Sequence, residues 1–457
     1  MRWLFSFLLL WLSTIVTALS SSGNRLLVVL EESSEKDKYS QFWGDLESRG
    51  FKIHFDSPKT AELSLFHLGN RAYDHVLLLP PKSKAYGPAL TPALLLDFMK
   101  AKGNILVGLS GSSAVPSGLV SLLLELDIQL PADRNSIVVD HFNHDSSASE
   151  EHDILLVSPP KTLRSDVKSY FGSKSGTKIA VPRAVGQVLG ASSPLLLPIL
   201  RASGTSYSTN PKEETVDDLF ASGEQISLVS AHQARNSARL TVLGSTELLQ
   251  DAWFGEKYGN REFSKQVSAW TFKELGVLKV GRLQHHLNEP AEKGRFNETA
   301  YPGSQLNPTI YRIKNDVTYT IELSEYTYDH YTPLTVPTTD ALQLEFSMLS
   351  PFHRLNLKPI SQTANSTLFS TSFTLPDQHG IFNFRVNYKR PFLTVVDEKR
   401  EVTVRHFAHD EWPRSWRISG AWVWIAGIWI TVAGWVAFVA VWLWSEPAKK
   451  VGAKKLQ

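Results

Sequence analysis

The sequence predicts two α/β units, then an antiparallel β-sandwich, then one transmembrane helix. Three observations predict it. Strand-like and helix-like runs alternate through the first hundred residues, which implies a parallel sheet covered on both faces. From about residue 275 short runs of period two recur between turn residues, the pattern of a sandwich. Residues 418–444 contain no charge and are long enough to cross a ~30 Å hydrocarbon core.

The N-terminus reads as a signal peptide over residues 1–18. Arg2 supplies the positive end, residues 3–12 are apolar apart from Ser6, and Val16-Thr17-Ala18 offers small residues for cleavage near Ala18. The first α/β unit then covers 24–150. Arg25-Leu-Leu-Val-Val-Leu-Glu31 is a strand buried on both faces, and 39–48 carries Phe42, Trp43 and Leu46 at helical spacing. Phe51-Lys-Ile-His-Phe55 alternates as a strand. His75-Val-Leu-Leu-Leu79 is a further buried strand, 94–102 a helix stopped by Gly103, and Asn104-Ile-Leu-Val-Gly108 the fourth strand.

A second α/β or mixed unit is expected over 151–272. Its strands are Ile154-Leu-Leu-Val157, the stretch 194–198, Gln225-Ile-Ser-Leu-Val229 and Ala238-Arg-Leu-Thr-Val-Leu243, with a strand-to-helix turn over 244–251. The sandwich spans 273–411, with strands at 318–323, 341–346, 367–375, 381–386 and 402–404. Tryptophans flank the apolar run of 418–444, as amphipathic indoles do at headgroup level. The tail 445–457 holds four lysines and marks the cytosolic side. With a translocated N-terminus this gives a single-pass type I protein of the endoplasmic reticulum, its bulk lumenal. Lys454 and Lys455 lie third and fourth from the end, the arrangement of a dilysine retrieval signal.

Composition narrows the chemistry. The net charge is +2 with no long basic stretch, so nucleic acid is not a partner. There are no cysteines, which excludes a cysteine nucleophile, a thiolate zinc site and any disulfide within the chain. Asn297-Glu-Thr299 and Asn365-Ser-Thr367 are glycosylation sequons. Gly108-Leu-Ser-Gly111 resembles a nucleophile turn, but Ser112 breaks Gly-x-Ser-x-Gly. His141, His144, Asp145, His152 and Asp153 have spacings that metal ligands can show, although the polar, serine-rich segment around them reads as a solvated loop; His285-His286 is a similar case. Gly420, Gly427 and Gly434 recur every seven residues in the membrane run, with Ala433 and Ala437 beside the last, a face on which another helix can pack closely.

The whole arrangement resembles the non-catalytic 48 kDa, WBP-type subunit family of oligosaccharyltransferase. The stretches that carry the resemblance are Arg25-Leu-Leu-Val-Val-Leu-Glu31, Tyr73-Asp-His-Val-Leu-Leu-Leu-Pro80, Gly103-Asn-Ile-Leu-Val107, Pro194-Leu-Leu-Leu-Pro-Ile-Leu200, Gly244-Ser-Thr-Glu247, Leu342-Gln-Leu-Glu-Phe346 and Leu375-Pro-Asp-Gln-His-Gly-Ile-Phe382. Where the family usually has a glycine pair this chain has Lys102-Gly103. The resemblance implies a flavodoxin-like, amidotransferase-like first domain without its usual cysteine. It also implies a part in transferring oligosaccharide from dolichyl diphosphate to asparagine, with the chemistry in a separate multi-spanning subunit. The implied partners are the other subunits, that catalytic one included, and membrane lipid; no catalytic residue, metal or cofactor is expected here. Two other classes stay open from the residues alone: a membrane-anchored serine hydrolase using Ser110 or Ser245, and a cargo-binding receptor.

Overall fold

The computed structural model describes residues 20–60, 63–83, 85–146, 152–161, 167–172, 176–191, 193–210, 219–288, 306–349, 352–408 and 421–446. The signal peptide, Asn297, Gly420, Lys454 and Lys455 lie outside the described residues.

The apolar runs of the first half become the strands of one seven-stranded sheet. These are β1 (Arg25–Val29), β2 (Lys52–Asp56), β3 (His75–Leu78), β4 (Asn104–Gly108), β5 (Leu196–Arg201), β6 (Ser227–Gln233) and β7 (Arg239–Leu243), in the order β5-β6-β7-β4-β3-β1-β2. Strands β2, β1, β3, β4 and β7 run parallel, with Leu27 opposite Val76 and Val76 opposite Ile105. β6 is antiparallel to β7, and β5 to β6. The stretches 24–150 and 151–272, read from the sequence as two units, therefore contribute to a single sheet. Pro198 is tolerated in β5 because that strand is the sheet edge.

Both faces of this sheet are covered, which is why its strands read as continuous apolar runs. Leu26, Val28, Leu77 and Leu106 point to one face, under α1 (Ser40–Ser48) and α4 (Asn260–Thr271), which add Phe42, Trp43, Leu46, Phe263, Val267 and Trp270. Leu27, Val29, Val76, Leu78 and Ile105 point to the other, under α2 (Pro92–Lys100) and α3 (Ser117–Glu125). Each such buried side chain contributes roughly 1.5–3 kcal/mol. Helix α2 starts on a Thr91 cap with Pro92 following, both preferred there. After it, Lys102 takes the left-handed turn at φ 67°, and Gly103 leaves room for the Phe98 ring, 2.2 Å from where a Cβ would stand. The left-handed stop is therefore Lys102 rather than the expected Gly103, and the helix ends at Lys100. The turn at 244–251 leads into short 3₁₀ turns, Glu247–Leu249 and Asp251–Trp253, before α4. Ile154–Val157 pairs with Ile179–Pro182 in a separate ladder.

The second body is built from two five-stranded sheets. One contains β8 (Leu275–Leu287), β10 (Asp316–Thr327), β11 (His330–Pro333), β14 (Lys358–Gln362) and β15 (Thr367–Thr374), in the order β8-β10-β15-β14 with β11 against β10. The other has the order β9-β17-β16-β12-β13, from β9 (Ile310–Arg312), β12 (Gln343–Ser347), β13 (Phe352–Asn356), β16 (Gly380–Tyr388) and β17 (Val396–Arg405). All pairings are antiparallel except β9 with β17. Alternate residues of both sheets, among them Tyr319, Ile321, Phe346, Phe382 and Phe384, share one core.

The last element among the described residues is α5 (Ala421–Trp444), 24 residues with no charged side chain and none buried. At ~1.5 Å per residue it is long enough for one membrane crossing.

Candidate functional site

The feature that organises the molecule is the joint between the two bodies. Helix α4 ends on the buried Trp270 and Thr271, and the chain turns through Phe272, Lys273 and Glu274 straight into β8. Arg239, fully buried at the start of β7, sits inside this turn. Its Nη1 donates to the carbonyls of Trp270 (2.5 Å) and Leu275 (2.7 Å), and its Nη2 to that of Gly276 (2.8 Å). Its Nε donates to Gln233 Oε1 at 3.3 Å, and the guanidinium lies 4.6 Å over the Trp270 ring. Gln233 in turn donates to the Leu393 carbonyl at 2.6 Å, and Trp270 Nε1 to the Phe392 carbonyl at 2.8 Å. Phe392 belongs to the loop before β17 yet packs into the α/β core, edge-on to Phe171 and Trp270. Burial pulls the Arg239 guanidinium down to about 9, with Tyr170 opposing the shift.

A second contact line runs beside it. Arg49 of the α1 end holds Glu274 at 2.8 Å and Ser268 Oγ at 2.8 Å, with both charged side chains buried. Burial pushes the Glu274 carboxyl up, against the attraction of Arg49. Tyr328 N donates to the Glu274 carbonyl at 2.7 Å. Glu325 of β10 accepts from Lys168 and from the Tyr170 hydroxyl, each at 2.6 Å. The joint also concentrates backbone strain: Ser237, Lys273, Tyr328 and Phe392 all have φ between 56° and 66°, and Gly276 takes the same region at 65°, where glycine is unstrained. At Gly276 a Cβ would stand 2.4 Å from the Phe392 carbonyl oxygen, so only glycine fits. Neither Arg239 nor Glu274 belongs to a motif. Their one sequence signal is a charge inside an otherwise buried run.

The serine turns at the carboxyl end of the sheet are occupied by their own neighbours. Ser110 Oγ pairs with Ser112 Oγ at 2.7 Å, and Ser245 Oγ accepts from Glu247 N at 3.2 Å. Glu247 is held by Arg183 in a two-point contact of 3.0 and 2.6 Å. Thr246 Cγ2 fills the space beside Gly108, 2.0 Å from where a Cβ would stand.

The histidine patch does converge in part. His141 Nδ1 and His152 Nδ1 are 2.5 Å apart, the rings of His144 and His152 are 4.0 Å apart, and Tyr207 bonds His141 Nε2 at 2.8 Å. Asp145 is engaged with Lys257 at 2.7 Å and with Tyr258. Among the described residues no group of three or more His, Asp or Glu is disposed to hold a metal ion. His285 is a core residue, bonded to Tyr311 at 2.7 Å and stacked on Phe384.

Asn365 is exposed in the turn between β14 and β15, while its sequon partner Thr367 is buried and donates to the Leu334 carbonyl at 3.0 Å. On α5, Gly427 and Gly434 have open space where a Cβ would stand. Thr431, which donates to the Gly427 carbonyl at 2.9 Å, shares their face at i, i+4, i+7.

These parts define a membrane-anchored protein whose α/β and β bodies are locked together over buried charge, carried on one apolar helix. The OST48 N-terminal domain model matches residues 17–274 and the OST48 middle domain model residues 295–446. The chain belongs to the OST48 family. The first match ends at Glu274, where the joint passes into β8. The chain is 33% identical, over 91% of its length and 92% of the relative's, to the dolichyl-diphosphooligosaccharide–protein glycosyltransferase subunit wbp1 of Schizosaccharomyces pombe. It is 31% identical to the 48 kDa subunit of the same name in Arabidopsis thaliana, over 89% of this chain and 90% of that one. It is also 31% identical to that of Caenorhabditis elegans, over 100% and 98%.

Proposed function

We propose that this chain is a non-catalytic subunit of an oligosaccharyltransferase, which transfers a preassembled oligosaccharide from dolichyl diphosphate to asparagine in Asn-x-Ser/Thr of nascent proteins. The observation that carries the reading is membership of the OST48 family through both bodies and into the membrane helix. The chain supports assembly of the complex and helps position the lipid-linked donor. The self-contained bonding of Ser110 and Ser245 fits a body that leaves the transfer chemistry to a multi-spanning partner. The strand order β2-β1-β3-β4-β7 supports a flavodoxin-like, amidotransferase-like α/β body, and the two sheets around one core support a β-sandwich.

The protein is single-pass type I in the endoplasmic reticulum membrane, with residues 24–411 lumenal and the tail cytosolic. Lys454 and Lys455 act as its retrieval signal, Asn297 and Asn365 as its glycan acceptors, and Gly420, Gly427 and Gly434 as the helix face that meets other subunits. Pull-down of the full chain in mild detergent is the test. Recovery of the other oligosaccharyltransferase subunits is expected; recovery of this chain alone overturns the reading.

A further inference from the structure

A two-residue hairpin juts from the amino end of the α/β body. Phe66 pairs with Arg71 and His67 with Asn70, leaving Leu68 and Gly69 as the whole loop. Both have positive φ, 49° and 78°, as in a type I′ turn. Such turns favour Asn-Gly or Asp-Gly, because short polar side chains tolerate the left-handed region and the tip faces water. Leucine meets neither requirement: its branched side chain is strained there, and it is 89% exposed. The tip stands clear of the body, with open space where a Gly69 Cβ would be.

The hairpin is firmly seated in spite of this. Phe66 packs edge-on to Phe98 of α2, Ala72 N donates to the Leu65 carbonyl at 2.9 Å, and Arg71 Nη1 donates to the Lys102 carbonyl at 3.1 Å. Backbone strain held in place by its surroundings clusters at functional positions, and here it presents one apolar side chain to solvent. The surroundings carry a positive balance. Arg25 and Arg71 share the single buried carboxylate Asp74, at 2.9 and 3.9 Å, and Lys102 is exposed beside them, itself left-handed at φ 67°.

We infer that Leu68 is a docking knob for another protein subunit of the assembly, one that offers an apolar socket bordered by carboxylates. The charge balance selects that partner. The inference rests on the reading of this chain as a subunit of a complex.

The test compares wild-type full chain with Leu68→Asn and Lys102→Glu in mild detergent, reading subunit recovery by mass spectrometry and the thermal midpoint. Leu68→Asn removes the knob and relieves the strain. It is expected to cut recovery of one subunit roughly tenfold, the scale set by burying a leucine, with the midpoint unchanged or raised by up to about 3 °C. Lys102→Glu is expected to weaken the same subunit and no other. A photo-crosslinker at position 68 is expected to label that subunit. Wild-type recovery by Leu68→Asn, a lowered midpoint, or crosslinks to lipid or to a second copy of this chain overturn the inference alone. Failure of the wild-type chain to recover any subunit overturns the underlying reading as well.

Discussion

Replacing Arg239 by methionine probes the joint most sharply. Methionine fills much of the volume but removes the donors to the Trp270, Leu275 and Gly276 carbonyls. Hydrogen bonds from a charged donor contribute about 1.5–3 kcal/mol each, so the gross loss is roughly 5–9 kcal/mol. The Trp270 and Gly276 carbonyls keep second donors, Lys273 N at 3.2 Å and Thr394 N at 3.0 Å, which softens the loss. Relief from holding a guanidinium out of water offsets several kcal/mol more. The expected net destabilisation is about 2–4 kcal/mol. It should appear as a lower thermal midpoint of the full chain in detergent, with unfolding of the two bodies no longer in one step. Arg261→Ala, which breaks an exposed pair with Asp45, is the control and should stay within about 0.5 kcal/mol. A methionine variant as stable as wild type would refute the view that this side chain locks the joint.

Gly276→Ala should cost about 1–3 kcal/mol in the same assay, since its φ of 65° and the Phe392 carbonyl both oppose a Cβ. Stability should fall as pH drops from about 6.5 to about 4. His75, buried between Gly23 and Asn104, is pulled down to about 4, so the unfolded chain binds a proton that the folded one refuses. The contribution is about 3 kcal/mol across that window, and His75→Gln should remove about one proton from the measured slope. Asn365→Gln and Thr367→Ala should each remove one glycan by gel mobility, whereas Thr367→Ser should retain it. Because Thr367 is buried in the folded β body, that glycan should be added only before the body folds.

Much of this fold is legible from local pattern. The runs at β1, β3 and β4 read as strands because burial on both faces leaves no polar alternation. The run 318–323 alternates because β10 (Asp316–Thr327) buries Val317, Tyr319, Ile321 and Leu323 on one side only. Helix α5 follows from its lack of charge. Strands from both sides of the expected 150–151 boundary share one sheet, because composition reveals strands, not which strands pair. β7 joins β4 across a long stretch of chain, so the sheet continues through the expected boundary. The joint left almost no trace, because Arg239 bonds mostly to backbone carbonyls that any sequence supplies. Leu68-Gly69 could have been read as a turn by its glycine, but its strain and exposure exist only in the folded chain.

On the proposed function, this chain is expected to hold a glycosylating assembly together and to leave the transfer itself to another subunit. Acute depletion of the chain from cells, with sequon occupancy and the amounts of the other subunits followed in the same samples, is the decisive measurement. Under-occupied sequons accompanied by loss of partner subunits are predicted. Unchanged occupancy with a full complement of those subunits would contradict it.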